Sequence, residues 1–184
     1  GTLEPRKNLS TVVEAYSLLK HKIDPWPSLT IVGGKGWGDV ALLEIIRRLN
    51  VENDVHLLGF VPDARLFALY KQASVFIYTS LQEGFGLPIL EAMARGCPVI
   101  ASNTSSLPEV IGDAGLLVEP RDAQQLAGAM KRVLTDIGLA SHMREKGLER
   151  AARFSWRKCA EQTIDVYRKT FGELANPSPW RRSS

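Results

Sequence analysis

Little in this chain invites a disulfide, a resident metal or a membrane span. Its 184 residues hold two cysteines, Cys97 and Cys159, and three histidines, His21, His56 and His142. The cysteines lie in separate predicted elements without metal-ligand spacing, so reduced structural thiols and a cytoplasmic setting are expected. The histidines are also scattered over separate elements, and no D-x-D pair occurs. No apolar run approaches the roughly 20 residues of a membrane-spanning helix. Neither sign of charge dominates, the formal net charge being +3. The balance shifts along the chain: residues 1–130 carry 11 Lys and Arg against 14 Asp and Glu, and residues 131–184 carry 12 against 6. A basic C-terminal part could meet nucleic acid or an anionic membrane surface. Its charges are interleaved with acids at helical spacing, the pattern of a solvated helix face. With no zinc spacing or helix-turn-helix pattern, nucleic acid is not an expected partner.

What is present is a regular alternation of strands and helices. A first helix is predicted from Asn8 to about Lys22, with Leu9, Val12, Val13, Tyr16 and Leu19 on one stripe. Short apolar runs at Leu29–Val32, Val55–Leu58, Ser74–Thr79, Pro98–Ala101 and Gly115–Val118 read as buried strands. Between and after them, helices are predicted at Asp39–Asn50, Asp63–Ala73, Pro88–Arg95, Leu107–Ile111, Asp122–Thr135, Leu139–Arg153 and Trp156–Leu174. Strands that are apolar throughout and alternate with helices imply a parallel sheet covered on both faces. The handedness of such crossovers makes this a doubly wound, Rossmann-like α/β fold, with ligands at the C-terminal edge of the strands. The domain is expected to span residues 1–174, with a flexible tail over 175–184.

The run from Glu83 to Glu91, E-G-F-G-L-P-I-L-E, carries the most chemistry. It follows a predicted strand. Gly84 and Gly86 loosen the turn, Pro88 suits the first turn of a helix, and Gly96 suits its end. Such a turn gathers two carboxylates and several backbone N–H groups around one small volume. Carboxylates accept from sugar hydroxyls, and N–H groups at a helix start suit phosphate oxygens. By spacing alone, a plain strand–turn–helix unit with a glutamate near the positive helix end explains the pattern equally well. Two carboxylates across a cleft would also suit glycosidase chemistry, but these sit in one turn beside phosphate-suited N–H groups, which favours binding.

The wording of Tyr78–Pro120, including E-G-F-G-L-P-I-L-E-A-M-A-R-G-C-P-V-I-A-S and S-S-L-P-E-V-I-G-D-A-G-L-L-V-E-P, resembles the donor-binding half of retaining GT-B glycosyltransferases of family four. Glu83 and Glu91 match that family's E-x7-E signature. Gly1–Asn8 resembles its phosphate-contacting turn, and Leu58–Asp63 its base-binding turn. The resemblance covers residues 1 to 171. It implies the C-terminal half of a GT-B fold, in which a buried strand precedes the equivalent of Gly1. A whole acceptor-binding domain precedes that strand in the family. This chain by itself is therefore expected to transfer no sugar.

The same resemblance implies roles for single residues. Lys7 would meet the donor diphosphate and offset charge on the leaving nucleotide. Arg6 could assist or face solvent. Thr2 stands where many members carry an arginine, which weakens a two-cation clamp on the phosphates. Glu83 would hold hydroxyls of the donor sugar, and Glu91 the ribose diol. Backbone N–H groups of Phe85, Gly86 and Leu87 would line the pyrophosphate or sugar, with the Phe85 ring serving in packing. Gly33 and Gly34 would allow close nucleotide approach, although a strand-to-helix turn explains them nearly as well. Val61, through its backbone, would hold the base. Ser102, Thr104, Ser105 and Ser106 read as caps for the helix that follows. The expected donor is GDP-mannose or a UDP-sugar, with no metal. The acceptor, a glycan, lipid or small molecule, would belong to the other domain, with peripheral membrane contact open. Two alternatives remain: a non-catalytic nucleotide-sugar-binding module, and a GT-B nucleotide-sugar hydrolase or epimerase.

Overall fold

The computed structural model describes residues 2–34, 36 and 39–175. Gly1, the opening residue of the expected phosphate turn, and the expected tail from Asn176 lie outside them. The chain divides into two compact units, Gly1–Ala151 and Ala152–Ser184.

In the first unit a single 3-10 turn, Pro5–Lys7, leads into α1 (Leu9–Leu18). Then follow β1 (Leu29–Val32), α2 (Asp39–Arg48), β2 (Val55–Gly59), α3 (Asp63–Gln72), β3 (Phe76–Tyr78) and α4 (Leu87–Met93). The unit closes with β4 (Val99–Ser102), α5 (Leu107–Ile111), β5 (Leu116–Val118), α6 (Ala123–Thr135) and α7 (Ile137–Ala151). Every element expected from the sequence is present in order. The predicted first helix is shortened at its end: Leu19 caps α1, and the chain turns through Lys20 and Lys22 instead of continuing. The helix after the glutamate turn ends at Met93, two residues before the predicted Arg95. A turn through Gly96 at φ +67° then leads into β4.

All strand pairings are parallel, as nearly all-apolar strands require. The pairings form two sheets, β1–β2 and β3–β4–β5, where one continuous sheet was expected. The break falls between β1 and β3, because no described strand joins those two edges. β4 shows why both faces are covered. Its four residues are all buried, and successive side chains point to opposite faces. Ile100 joins a core cluster with Val12, Val13 and Tyr16 of α1 and Leu126 of α6. Val99 and Ala101 join a second cluster with Ile89, Met93, Leu107 and Ile111 of α4 and α5. The spacing of Ile89, Ala92 and Met93 on α4 puts them on one buried stripe. That stripe fixes the direction in which the helix presents its first turn.

The second unit contributes α8 (Trp156–Ala175), opened by Ser155, whose hydroxyl accepts from the Lys158 N–H at 3.1 Å. Trp156 and Tyr167 on this helix are both exposed. No helix among the described residues is long and apolar enough to cross a membrane.

One side chain ties the ends of several elements in the first unit together. Asn8, buried and at φ 56°, donates through its amide to Thr79 O at 3.1 Å, just past β3, and to Pro120 O at 2.5 Å, just past β5. Its amide oxygen accepts from Thr11 Oγ1 at 2.8 Å. Leaving buried carbonyls unpaired costs about 1–3 kcal/mol. Asn8→Gly keeps the left-handed backbone at no steric cost but removes the amide. It is expected to lower unfolding stability by about 1–3 kcal/mol in urea titrations. A neutral Asn8→Gly would mean that the backbone angle alone is what asparagine supplies here.

Candidate donor-binding site

The site is built where strand ends meet the segment before α1. The Leu3 N–H donates to Gly34 O at 3.0 Å, past the end of β1, and the Leu81 N–H donates to Arg6 O at 2.8 Å, past the end of β3. The 3-10 turn closes on Lys7 N–H to Glu4 O and Asn8 N–H to Pro5 O. Asn8 anchors the turn from below. Lys7 and Arg6 are thus held on a short, well-bonded turn facing the loop that carries Glu83.

Lys7 Nζ lies 2.5 Å from Glu83 Oε1 and 3.1 Å from the Tyr78 hydroxyl. The Tyr78 hydroxyl donates in turn to Glu83 Oε1 at 2.8 Å. The ammonium also sits 5.2 Å from the centre of the Tyr78 ring, within range of its negative face. Arg6 reaches the other carboxylate oxygen, Nη1 to Glu83 Oε2 at 3.2 Å, while its Nε bonds Glu4 Oε2 at 2.7 Å. The Lys7 and Glu83 side chains are only 14% and 10% exposed, so this pair is screened far less than a surface ion pair. Burial alone would push the Glu83 carboxyl up, but the Lys7 ammonium and the Tyr78 hydroxyl outweigh it. They hold the carboxyl below its ordinary 4.5. Burial opposes the Lys7 charge as well, yet hydrogen bonds to Glu83 and Tyr78 raise it above the ordinary 10.5.

The Glu83 loop is supported from the stretch before α5. Ser106 Oγ donates to Phe85 O at 2.9 Å and lies 3.4 Å from Glu83 O, and the Glu83 N–H reaches Ser105 Oγ at 3.4 Å. Ser102 and Thr104 both donate to Ser80 O. The expected capping role is therefore corrected: Ser106 occupies the N-cap of α5 without a side-chain cap bond. These hydroxyls instead satisfy carbonyls of the neighbouring loop, which has no ladder partners of its own. Gly86 is required where it stands. It sits at φ 106°, and an added Cβ would lie 2.7 Å from Leu107 Cδ2. Pro88 then enters the first turn of α4, as its missing N–H allows.

The remaining candidates are placed as follows. Glu91 is half-buried on α4, where its carboxylate is reached by the Tyr70 hydroxyl at 3.4 Å, apart from the Lys7 cluster. The backbone N–H of Gly33 is already used, donating to Gly59 O at 3.0 Å. Gly34 has open space at its Cα, where a Cβ would meet nothing within 4 Å. The Val61 side chain is buried, while Phe60 beside it is 83% exposed. The Phe85 ring, expected in packing, is 43% exposed, because Gly86 turns the chain outward before α4 begins. Among the described residues no group of three His, Cys, Asp or Glu side chains could hold a metal ion. Cys97 is buried, with its thiol pushed up to about 11 by that burial, and Cys159 is exposed; both are free thiols.

Tyr78 and Asn8 were not singled out as site residues in the sequence, and Ser106 was read there only as a helix cap. Tyr78 did carry a signal, since a tyrosine at a strand end five residues before Glu83 must find a partner for its hydroxyl when buried.

The same region matches known proteins. A family model described as glycosyl transferases group 1 covers residues 1–150. The chain belongs to the group 1 glycosyltransferases. O-antigen chain mannosyltransferase B of Escherichia coli is 43% identical over 168 residues, 91% of this chain and 44% of that protein. Sucrose-phosphate synthase from Thermosynechococcus elongatus shares the fold at a TM-score of 0.80 and 32% identity, over 92% of this chain and 43% of its own. A structure of HepE from Anabaena in complex with UDP and glucose superposes at a TM-score of 0.81 and 25% identity, over 92% of this chain and 47% of its own. These neighbours place the parallel α/β unit in the GT-B fold. This group 1 chain spans less than half the length of each of these three proteins.

The ion pair sets a pH dependence. A carboxyl depressed in the folded chain contributes stability that is present above its unfolded value near 4.5 and is lost as pH falls through the folded value. Lys7, raised in the folded chain, contributes below 10.5 and ceases to do so as pH rises through its folded value. At pH 7 both contributions are present. Glu83→Gln is therefore expected to be less stable than the parent at pH 7, with the gap shrinking in urea titrations carried down to pH 3. A gap that stays constant over that range would locate the effect of Glu83 in its shape, not its charge.

Proposed function

We propose that this chain is the donor-binding domain of a retaining hexosyltransferase. In this reading it holds a nucleoside-diphosphate sugar, with GDP-mannose preferred, while a further domain of a longer protein presents an acceptor hydroxyl. The observation that carries the reading is the contact of Lys7 and Arg6 with Glu83 at the strands' C-terminal edge, the place where this fold class binds ligands. The mannosyltransferase relative supports the choice of sugar.

The paired charges suit one kind of ligand. An anion alone would draw Lys7 away and leave the Glu83 carboxylate short of donors. A neutral sugar alone would compete poorly with an ammonium 2.5 Å away. A nucleotide sugar offers both replacements in one molecule: diphosphate oxygens for Lys7 and Arg6, and hydroxyl donors for Glu83. Gly86 and Leu87 stand at the start of α4, where backbone N–H groups have no partner within the helix. Glu91, carrying no ion pair among the described residues, takes the ribose diol. In the transfer, the bond from the anomeric carbon to the diphosphate oxygen breaks and the bond to the acceptor oxygen forms on the same face. The acceptor proton leaves with the diphosphate. Lys7 and Arg6 stabilise the charge that grows on that leaving group, an effect strongest where water is sparse.

Calorimetric titration with GDP, GDP-mannose, UDP and UDP-glucose tests this directly. GDP-mannose is expected to bind, with Lys7→Ala weakening it roughly tenfold or more, the worth of a charged hydrogen bond. Glu83→Gln is expected to weaken GDP-mannose more than GDP. The chain alone is expected to transfer no sugar. Absence of binding to all four ligands, or sugar transfer by the isolated chain, would overturn the reading.

A further inference from the structure

Lys7 and Glu83 account for only part of the charge at the Pro5–Lys7 turn. Glu4 stands at the N-cap of that turn, with extended backbone at φ −117° and ψ 151°. A side-chain oxygen at such a position commonly accepts from a free N–H of the turn. The Glu4 side chain makes no such bond. It turns to Arg6 instead, where its Oε2 accepts from Nε at 2.7 Å. Its backbone carbonyl accepts from the Lys7 N–H at 2.9 Å, which fixes the place of Glu4 in the turn.

The two carboxylates on Arg6 are not equivalent. Glu83 lies farther off, at 3.2 Å, and is shared with Lys7 and Tyr78. Glu4 has no other ion partner among the described residues. In the proposed function, on which this inference rests, a diphosphate draws Lys7 and Arg6 off Glu83, and sugar hydroxyls take their place there. Nothing in that exchange requires Glu4 to leave. Its bond to Nε occupies one of the five N–H donors of the guanidinium and leaves both terminal amino groups for phosphate oxygens.

Glu4, Arg6, Lys7 and Glu83 form one connected cluster whose two cations and two carboxylates cancel. Without the Glu4 charge the same cluster would carry +1. The nucleotides before and after transfer differ in charge. Each phosphorus of a nucleotide sugar keeps a single ionised oxygen. The nucleoside diphosphate released from it ends in a phosphate whose second proton leaves near pH 6, so at pH 7.5 it carries about one further negative charge. A net positive cluster would hold the spent nucleotide more tightly for that reason, and a neutral one removes the advantage.

We propose that Glu4, acting through Arg6, sets the preference of the site for the nucleotide sugar over the nucleoside diphosphate that transfer leaves behind. Its carboxylate does two things at once. It orients the guanidinium, which serves both nucleotides alike, and it offsets the guanidinium charge, which disfavours the more highly charged one. Substitution separates the two. Glutamine keeps an oxygen that accepts from Arg6 Nε and loses only the charge, whereas alanine loses both. The Arg6 and Glu4 side chains are 49% and 33% exposed, so the charge effect is modest.

Calorimetric titration at pH 7.5 compares the parent chain, Glu4→Gln and Glu4→Ala with GDP, the β-methyl ester of GDP and GDP-mannose. UDP, its methyl ester and UDP-glucose are run beside them. The methyl esters have the charge of the nucleotide sugars without the sugar. Glu4→Gln is expected to shift the preference toward the free diphosphate by about twofold to fivefold, measured against nucleotide sugar and methyl ester alike. The shift is expected to shrink in 1 M NaCl, where exposed charges are screened. Glu4→Ala is expected to show the same preference while binding every nucleotide more weakly than Glu4→Gln does. An unchanged preference in Glu4→Gln, a shift that the methyl esters do not share, or one undiminished in 1 M NaCl would overturn the inference and leave the donor-binding reading standing. A parent chain that binds none of these nucleotides would overturn both.

Discussion

The ion pair between Lys7 and Glu83 is the constraint on which the rest of the site depends. It spans 76 positions of sequence and joins the turn before α1 to the loop before α4. Neither turn is rigid on its own. The 3-10 turn of Pro5–Lys7 is three residues long, and the loop of Gly84 and Gly86 has no ladder bonds. Each is held by side chains from elsewhere: Asn8 holds the first to the ends of β3 and β5, and Ser106 holds the second to the start of α5. With both turns so fixed, ammonium and carboxylate meet at 2.5 Å in a place that is largely shielded from water.

Such a pair is more informative about ligand than about stability. The desolvation cost of two charges offsets much of their attraction, so such a shielded pair contributes modestly to folding. Its value lies in readiness for exchange. Opposite charges that satisfy each other without a ligand can be traded for a molecule that carries both an anion and hydroxyl donors, and an unpaired cluster would cost more to keep. Gly34 and Phe60 follow the C-terminal ends of β1 and β2, Phe85 lies in the loop that carries Glu83, and both rings are exposed.

Much of the fold was legible because its rules are local. Apolar runs bounded by glycine, proline or aspartate gave five strands at nearly the right residues. The stripe Leu9, Val12, Val13, Tyr16 and Leu19 located α1, though it overran the end because Leu19 caps the helix and still faces the core. Lys7, Arg6 and Glu83 were legible through motif wording, and the structure brings those three together. Tyr78 was read as a strand residue and nothing more. The serines before α5 were read as caps, because capping is their commonest local use. Their actual partners lie across a loop, beyond the reach of any local rule.

What the sequence determined alone is the order and type of the elements, the glycine at φ 106° and the proline that opens α4, since each depends on a residue's own backbone preferences or a period of two or 3.6. What only the tertiary structure decided is which distant groups meet. The amide of Asn8 finds Pro120 from 112 positions away, the Glu83 carboxylate collects Lys7, Arg6 and Tyr78, and residues of β1 and β3 line one cavity. Those contacts depend on how parallel crossovers stack helices on both faces of the sheets, and periodicity along the chain carries no record of that.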